Sequence, residues 1–495
     1  MTVTGDVIDR VRETLRTRAG ERAIEYDGAW VEWGDVARYG DALVALLDEA
    51  GCPPNGRVCV IIRNRAAHAA SVIGLLAHRR SISFLYPFLP KAVMAEQIAA
   101  LGAAAVVADE ADWPELREAV EAAGSAGIAL GNAAGRPRFV EGLERCAIAV
   151  PSDAVQGGDI EVLSSGTTGA PKRISMPLPI LDRAVASAPG GEAGTVPPVQ
   201  INVWPLGGVG GMCLLTASAA TGTPLVLIER FSVDALVGAI KRHRPPTIGL
   251  PPTAISMILD ANVPAEDLET ITSVSGGSAY LDPDVQDRFE KIYGATILWG
   301  MGATEFCGTI VRWTPQMRAD VGDGKRGSTG KAMPGVELRV VDPETGELAA
   351  AGKEGLLEVY CPAVRPDWVR TTDLVAIDGD GYVFHRGRYD GAIVRGGFKI
   401  LPERVVDALR THPAVADASV IGIPDPRLGA VPVAAVELVP GAPAIGEAAL
   451  LDHLRGILAP THVPAELRIV DALPRTPSLK VSLMDVRRLF EREPA

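Results

Sequence analysis

The densest concentration of chemistry in this chain is Ser164-Ser165-Gly166-Thr167-Thr168-Gly169-Ala170-Pro171-Lys172, a run of small residues, hydroxyls and one lysine with little apolar side chain. Such a segment suits a polyphosphate. Glycine lets the backbone approach and turn its N–H groups toward an anion, the Ser and Thr hydroxyls add donors, and the lysine supplies mobile positive charge. It is not a Walker loop, which needs Gly-Lys-Ser/Thr after four intervening residues. Here Pro171 precedes Lys172 and Arg173 follows it. A Gly/Ser/Thr string alone is as compatible with a surface turn, so its meaning depends on what else the chain carries.

Further elements follow in order: Gly276-Gly277-Ser278-Ala279, Gly300-Met301-Gly302-Ala303-Thr304-Glu305, Thr371-Thr372-Asp373-Leu374, Gly387-Arg388-Tyr389-Asp390 and Pro474-Arg475-Thr476-Pro477-Ser478-Leu479-Lys480. Taken together with the first run, they resemble the motifs of the adenylate-forming ligases, the superfamily of acyl-CoA synthetases, luciferases and peptide-synthetase adenylation domains. The match is closest in style to acyl- or aryl-CoA ligases. In that resemblance the first run is the phosphate-binding loop and Gly276-Gly277-Ser278 the adenine-site turn. The Met301–Glu305 segment stands for Tyr-Gly-x-Thr-Glu, Thr372-Asp373-Leu374 for Gly-Asp-Leu, Gly387–Asp390 for the hinge motif, and the last segment for a Pro-x-Thr-x-x-Gly-Lys tail. The resemblance covers nearly the whole chain.

Activating a carboxylate brings two anions together, the acid and the α-phosphate of ATP, and charge must be stabilised as pyrophosphate leaves. Fixed donors and cations are the natural solution. The resemblance implies that Ser164, Ser165, Gly166, Thr167, Thr168, Gly169 and Lys172 hold the β- and γ-phosphates, and that Thr304 donates to the α-phosphate. Glu305 helps hold Mg²⁺, a hard cation that prefers carboxylate and phosphate oxygens. Gly276, Gly277, Ser278, Gly300, Met301, Gly302 and Ala303 line the nucleotide, while Asp373 accepts from the ribose hydroxyls with Arg388 reinforcing that contact. Lys480 is implied to bridge the substrate carboxylate and the AMP phosphate as an electrophilic stabiliser, not a base. Singly, Asp373 and Glu305 read as solvated loop carboxylates and Lys480 as a solvent-facing lysine near a terminus; the ordered set changes that reading. For the second half-reaction the family rotates its small domain about a hinge at Asp390, and Gly396, Gly397, Phe398 and Lys399 resemble the loop that then lines the route of CoA.

The acid pocket is expected at Trp204, Gly207, Gly208 and Met212. Family members often carry an aromatic–histidine pair after the proline of the Pro205 region, where this chain reads Leu206-Gly207-Gly208. Glycine there leaves room for a bulky acid, or permits close helix packing. No Asp occurs between Ile201 and Ile228 to hold a substrate ammonium, which disfavours a free amino acid. Three departures bear on the nucleotide and catalytic motifs: Met301 for the stacking Tyr, Thr372 for Gly, and Leu479 for the Gly before Lys480, the last restricting how that lysine enters the site.

Composition is that of a soluble globular protein, 47% hydrophobic and 22% charged, and the net charge of −13 argues against nucleic acid or an anionic membrane as the main partner. The six cysteines are scattered without a C-x-x-C pair, so a disulfide framework or zinc site is not expected and a reducing, cytoplasmic location is. The first ten residues lack an apolar core and do not read as a secretory signal. Residues 201–228 are uncharged but interrupted by Pro205, Pro224 and several glycines, and read as buried strand, loop and helix, not a membrane span.

The elements that must position these residues alternate strand with helix: helical spacing over Val36–Leu47, a β run at Val58–Ile62, helix from Ala66 to Leu76, β runs at Ala103–Val107 and Pro224–Ile228, helix over Val233–His243 and strand at Thr247–Leu250. Residues 336–341 and 356–360 read as strands of an antiparallel piece, and the Ala/Gly-rich 122–136 stretch as a surface loop. Beyond Asp390 lie a helix (Glu403–Thr411), a strand (Ala418–Ile423) and a late helix (Glu447–Leu458). The expected fold is α/β: a large N-terminal domain of layered αβα subdomains plus a small β-barrel-like part over residues 1–389, then a small mobile α+β domain over 390–495. The resemblance implies an AMP-forming acid–CoA ligase using ATP, Mg²⁺ and CoA on an apolar or bulky carboxylate. Transfer to an amine or carrier protein is one alternative, and an inactive nucleotide-binding protein another. Partners are small molecules, with no nucleic acid and no membrane span, and a homodimer is left open.

Overall fold

Runs of about five apolar residues bounded by Gly, Pro or a charge build the sheets of this protein. The structure, a computed structural model, describes residues 6–87, 89–131, 135–148, 158–163, 173–186, 197–277, 279–303, 306, 308–395, 398–443, 445–476 and 479–491. Contacts divide the chain into two units, residues 1–278 with 284–310, and residues 279–283 with 311–495.

In the first unit a seven-stranded sheet among the described residues runs, in spatial order, Arg138–Phe139, Ala126–Leu130, Ala105–Asp109, Arg57–Ile61, Ser81–Leu85, Ile160–Leu163 and Arg173–Met176. The five inner strands are parallel and the two outermost are antiparallel. Inner strands such as Ser81–Leu85 are buried at every position, as parallel strands covered on both faces must be. Helix Ala66–Ala77 is also buried at every position, so its sequence is apolar all round and has no solvent face. On one face Ile61, Leu85 and Val106 pack with Met94 and Ile98 of helix Lys91–Leu101 and with Leu116 and Val120 of helix Trp113–Ala123.

The 122–136 stretch is not simply a surface loop. Its Ala126–Leu130 segment is a fully buried strand, paired in parallel with Ala105–Asp109. Small residues are needed there because a Cβ on Gly127 would lie 2.8 Å from a Leu143 methyl and 3.0 Å from the Trp113 ring. A second sheet of the same unit holds Gln200–Asn202, Leu225–Leu227, Arg22–Tyr26 and Ala29–Glu32. Between its first two strands runs helix Val209–Thr221, so residues 201–228 are the strand, loop and helix expected. A third sheet of this unit aligns Thr247–Gly249, Ser273–Gly276 and Thr296–Ala303 in parallel; in the second unit Val311 and Arg312 pair with Ala332 and Lys331.

The second unit carries an antiparallel sheet of Glu337–Val341, Glu354–Cys361, Arg365–Ile377 and Val383–Arg388. It also carries a sheet of Phe398–Ile400, Ile393–Arg395, Gly429–Leu438 and Val415–Asp425, with Glu466–Val470 parallel to Gly429–Leu438. Helices Pro402–Arg410 and Glu447–Arg455 pack on the latter through Val405, Leu409, Leu450 and Leu454. Leu401 and Ala392 join Val341, Leu356 and Leu374 in one apolar cluster, and Arg404 pairs with Glu354 at 3.0 Å. The contact boundary therefore falls at Ile310, and Asp390 lies within the second unit, between strands Val383–Arg388 and Ile393–Arg395. Among the described residues no helix is long and apolar enough to cross a membrane.

Candidate active site

The residues expected on the ribose side come from two neighbouring strands of the second unit. Asp373 lies in strand Arg365–Ile377 directly opposite Arg388 of strand Val383–Arg388. Its backbone N–H donates to Thr371 Oγ1 at 3.1 Å, and one carboxylate oxygen is 3.3 Å from His385 Nε2. The Arg388 guanidinium meets Asp390 through both carboxylate oxygens, at 3.0 and 2.9 Å, and donates to Thr372 Oγ1 at 2.6 Å. Thr372, the departure from the family glycine, thus holds an arginine in place with its hydroxyl. The hinge-position carboxylate of Asp390 does the same in a bidentate pair, the geometry in which Arg is most specific.

Lys480 follows a tight turn. The Thr476 N–H donates to the Lys480 carbonyl at 2.7 Å, the Leu479 N–H to the Thr476 carbonyl at 2.8 Å, and the Lys480 N–H to Thr476 Oγ1 at 3.2 Å. Ser482 closes the loop by donating its N–H to the Pro474 carbonyl at 2.8 Å. The turn is anchored by Arg475, which pairs with Asp417 at 2.8 Å, and Asp417 in turn with Arg410 at 2.7 Å. Within it Leu479 has φ +62°, in the left-handed region. A glycine adopts that conformation freely, whereas a leucine there carries roughly 1–3 kcal/mol of strain. The half-buried Lys480 ammonium is pushed below the ordinary lysine range by burial and by the nearby Arg388 guanidinium. The tail turn and the strands of Asp373 and Arg388, distant in sequence, belong to one unit.

In the first unit, Gly276 pairs with Trp299 across neighbouring parallel strands. A Cβ on Gly276 would lie 2.1 Å from the Trp299 ring, and one on Gly302 would lie 2.2 Å from the Gly308 carbonyl oxygen. These glycines are required by packing alone. Gly277 is similarly close to Gly300, whose carbonyl oxygen is 2.9 Å from the position of a Gly277 Cβ. Met301 is partly exposed on the same strand as Gly300 and Gly302.

The loop from Trp204 to Gly208 is held from two sides. Asn64 donates its amide to the carbonyls of Trp204 (2.9 Å) and Ile228 (3.0 Å) and accepts the Leu206 N–H (2.8 Å). Asn202 donates to the Trp204 carbonyl at 2.8 Å and accepts the Trp204 N–H at 3.1 Å. Both asparagines are buried. Neither was singled out by the sequence, where an isolated Asn carries no motif. The room expected at Gly207 is filled: a Cβ there would lie 2.5 Å from an Ile62 methyl and 3.1 Å from the Tyr86 ring. The glycine serves close packing. Gly208 lies near the Tyr86 hydroxyl, Trp204 is partly exposed, and Met212 is fully buried with its sulfur accepting from Thr216 at 3.5 Å.

Residues Ser164 to Lys172, Ser278, Thr304, Glu305, Gly396 and Gly397 lie outside the described residues, as do the side chains of Ala303, Phe398 and Lys399. Among the described residues no group of three or more His, Cys, Asp or Glu side chains is placed to hold a metal ion.

A parallel-sheet unit followed by a unit that carries both the strand-borne Asp373 and Arg388 and the turn-borne Lys480 matches what is expected of an adenylate-forming enzyme. Residues 11–365 match the model of the AMP-binding enzyme family, and residues 406–480 that of the AMP-binding enzyme C-terminal domain. The chain belongs to this family of AMP-binding enzymes. It is 31% identical to an indoleacetate–CoA ligase of Aromatoleum aromaticum over 71% of each chain. It is 29% identical to 4-coumarate–CoA ligase-like 9 of Oryza sativa subsp. japonica over 97% of this chain and 90% of that one. The fold is shared with ATP-bound MatB from Rhodopseudomonas palustris (TM-score 0.83, 23% identity, 98% of each chain). It is also shared with the amide bond synthetase McbA from Marinactinospora thermotolerans (TM-score 0.79, 24% identity, 98% of this chain and all of that one). The expected α/β architecture, with a large N-terminal and a small C-terminal domain, is thereby borne out.

Proposed function

We propose that this protein is an ATP- and Mg²⁺-dependent acid–CoA ligase acting on a bulky apolar carboxylate, with an aryl acid as the first substrate class to test. One substrate carboxylate oxygen attacks the α-phosphorus of ATP and pyrophosphate leaves; the CoA thiolate then attacks the acyl carbon and AMP leaves. The observation that carries this reading is the pairing of Asp373 with Arg388 across neighbouring strands, in the unit that also holds the half-buried Lys480. Cations gathered beside a ribose-binding carboxylate are what a transition state with two converging anions requires. The aryl preference rests on relatives named as indoleacetate–, benzoate– and 4-coumarate–CoA ligases.

Lys172 and its loop take the β- and γ-phosphates, Thr304 the α-phosphate, Glu305 the magnesium ion, and Asp373 with Arg388 the ribose. Mg²⁺ would supply charge neutralisation of the phosphates. After adenylation the part of the chain beyond Asp390 rotates, withdrawing Lys480 and presenting the 396–399 loop to CoA. A second reading, transfer to an amine, is favoured by the fold shared with an amide bond synthetase and by the altered Leu479 position. Retention of Lys172, Glu305, Asp373, Arg388 and Lys480 speaks against a silent nucleotide-binding protein.

The test is AMP release from ATP and Mg²⁺ with a panel of aryl, alicyclic and aliphatic acids, in the presence of CoA, of amines, or of neither. Thioester formed only with CoA, and best with aryl acids, is the expected result. Amide formation selects the second reading, and absence of AMP with every acid refutes both.

A further inference from the structure

The sheet that carries Asp373 contains an irregularity with a chemical consequence. Strands Arg365–Ile377 and Val383–Arg388 run in register at Asp373–Arg388 and Leu374–Gly387, and then Val375 pairs with His385. Arg386 is the extra residue. Such a bulge re-aims the side chains beyond it. Residues paired across an antiparallel ladder share a face, as do alternate residues of one strand, so the slip puts His385 on the face of Val375 and Asp373. In regular pairing Arg386 would stand opposite Val375 instead. The imidazole Nε2 comes to 3.3 Å from an Asp373 carboxylate oxygen, and the two side chains keep only 22% and 18% of their exposure. This is not a solvated surface pair.

We propose that His385 is a positioning residue for nucleotide recognition: its imidazole holds the Asp373 carboxylate in the orientation that receives the ribose hydroxyls, and so sets discrimination for ribose over deoxyribose. The inference rests on the reading of Asp373 as the ribose-binding group. A free carboxylate rotates about its terminal bond and offers several acceptor sites. Donation from Nε2 occupies one oxygen and fixes the plane, leaving the other oxygen to accept from the ribose. Ordering the acceptor before the nucleotide arrives lowers the cost of binding. Glu403, one of whose carboxyl oxygens has no partner among the described residues, is the other acid near this imidazole.

The test compares wild type, His385→Leu, His385→Gln and Asp373→Ala on the full chain. Steady-state kinetics are run with ATP, 2′-deoxy-ATP and 3′-deoxy-ATP, alongside thermal melts. Loss of one such hydrogen bond should raise KM for ATP about 3–10-fold in His385→Leu, with kcat within about twofold. The preference for ATP over the deoxynucleotides should shrink by a similar factor. His385→Gln, which keeps an N–H donor, should recover most of both. If His385→Leu keeps the wild-type KM and ribose preference while Asp373→Ala loses nucleotide binding, the role of His385 is overturned and the ribose site stands. If Asp373→Ala also binds ATP normally, the underlying reading of the site fails. A loss in His385→Leu that appears equally in kcat, with an unchanged ribose preference, also rejects a positioning role.

Discussion

Two loops tied to function are held in opposite ways. The Trp204–Gly208 loop is satisfied: two buried asparagines pin its backbone with five hydrogen bonds between them and its surroundings, and its glycine admits Tyr86 and Ile62 without strain. The Thr476–Lys480 turn is stressed, with a leucine in the left-handed region and a half-buried lysine whose proton is made easier to lose by burial and a neighbouring arginine. A loop that must keep one shape is overdetermined by its neighbours. On the proposed mechanism the turn's lysine serves one half-reaction and is withdrawn for the next, and its unfavourable charge is relieved when anions arrive.

Removing the lysine should have the largest effect. Lys480→Ala is expected to slow adenylate formation at least about 100-fold, as loss of a transition-state charge does, while preformed acyl-AMP is still converted to thioester. Equal loss in both half-reactions would erase the contrast between a fixed loop and a departing turn.

On the other side, Asn64→Ala should cost about 2–4 kcal/mol of stability, because it strands the buried Ile228 carbonyl and the buried Leu206 N–H, while the Trp204 carbonyl keeps its bond from Asn202. Thermal or denaturant unfolding measures it, and a neutral result would mean the loop is not held as described.

The proton on Lys480 sharpens the comparison further. Its pKa is lowered in the free protein and its charged form is the useful one, so the alkaline limb of kcat/KM for adenylation should fall at a pH below the ordinary lysine range. The limb of kcat should lie higher, because bound anions favour the ammonium. Lys480→Arg should retain low activity with neither limb, since arginine stays charged. A kcat/KM limb at the ordinary lysine range would contradict the pull of Arg388 and burial, and coincident limbs would contradict the pull of the bound anions.

The smallest effect is expected at the strained position. Leu479→Gly should be neutral to stabilising by about 1 kcal/mol, the relief of strain being partly offset by the entropy glycine adds to the unfolded chain. Destabilisation of that size would show that the leucine side chain contributes more by packing than its backbone costs.

Much of this was legible in the chain itself. Helix Val233–His243 has the range its apolar spacing predicts, and the departure at Leu479 marks a tail position where a positive φ is seen. What escaped had no local signal. By its Ala/Gly composition Ala126–Leu130 reads as loop, yet it is a buried strand whose Gly127 fits against Trp113 and Leu143. Asn64 acts on a carbonyl 140 residues away, and His385 reaches Asp373 only through a register slip that no spacing rule encodes. Gly207 was read as either room or packing, and only the neighbouring Tyr86 and Ile62 decide it.

The account stands or falls on whether this chain activates a carboxylate with ATP. Isotope exchange between pyrophosphate and ATP, followed with aryl acids in the absence of CoA, measures that step alone. Exchange that depends on the acid, on Mg²⁺ and on Lys480 is the predicted result; no acid-dependent exchange with any member of the panel, from protein that is folded and binds ATP, would contradict it.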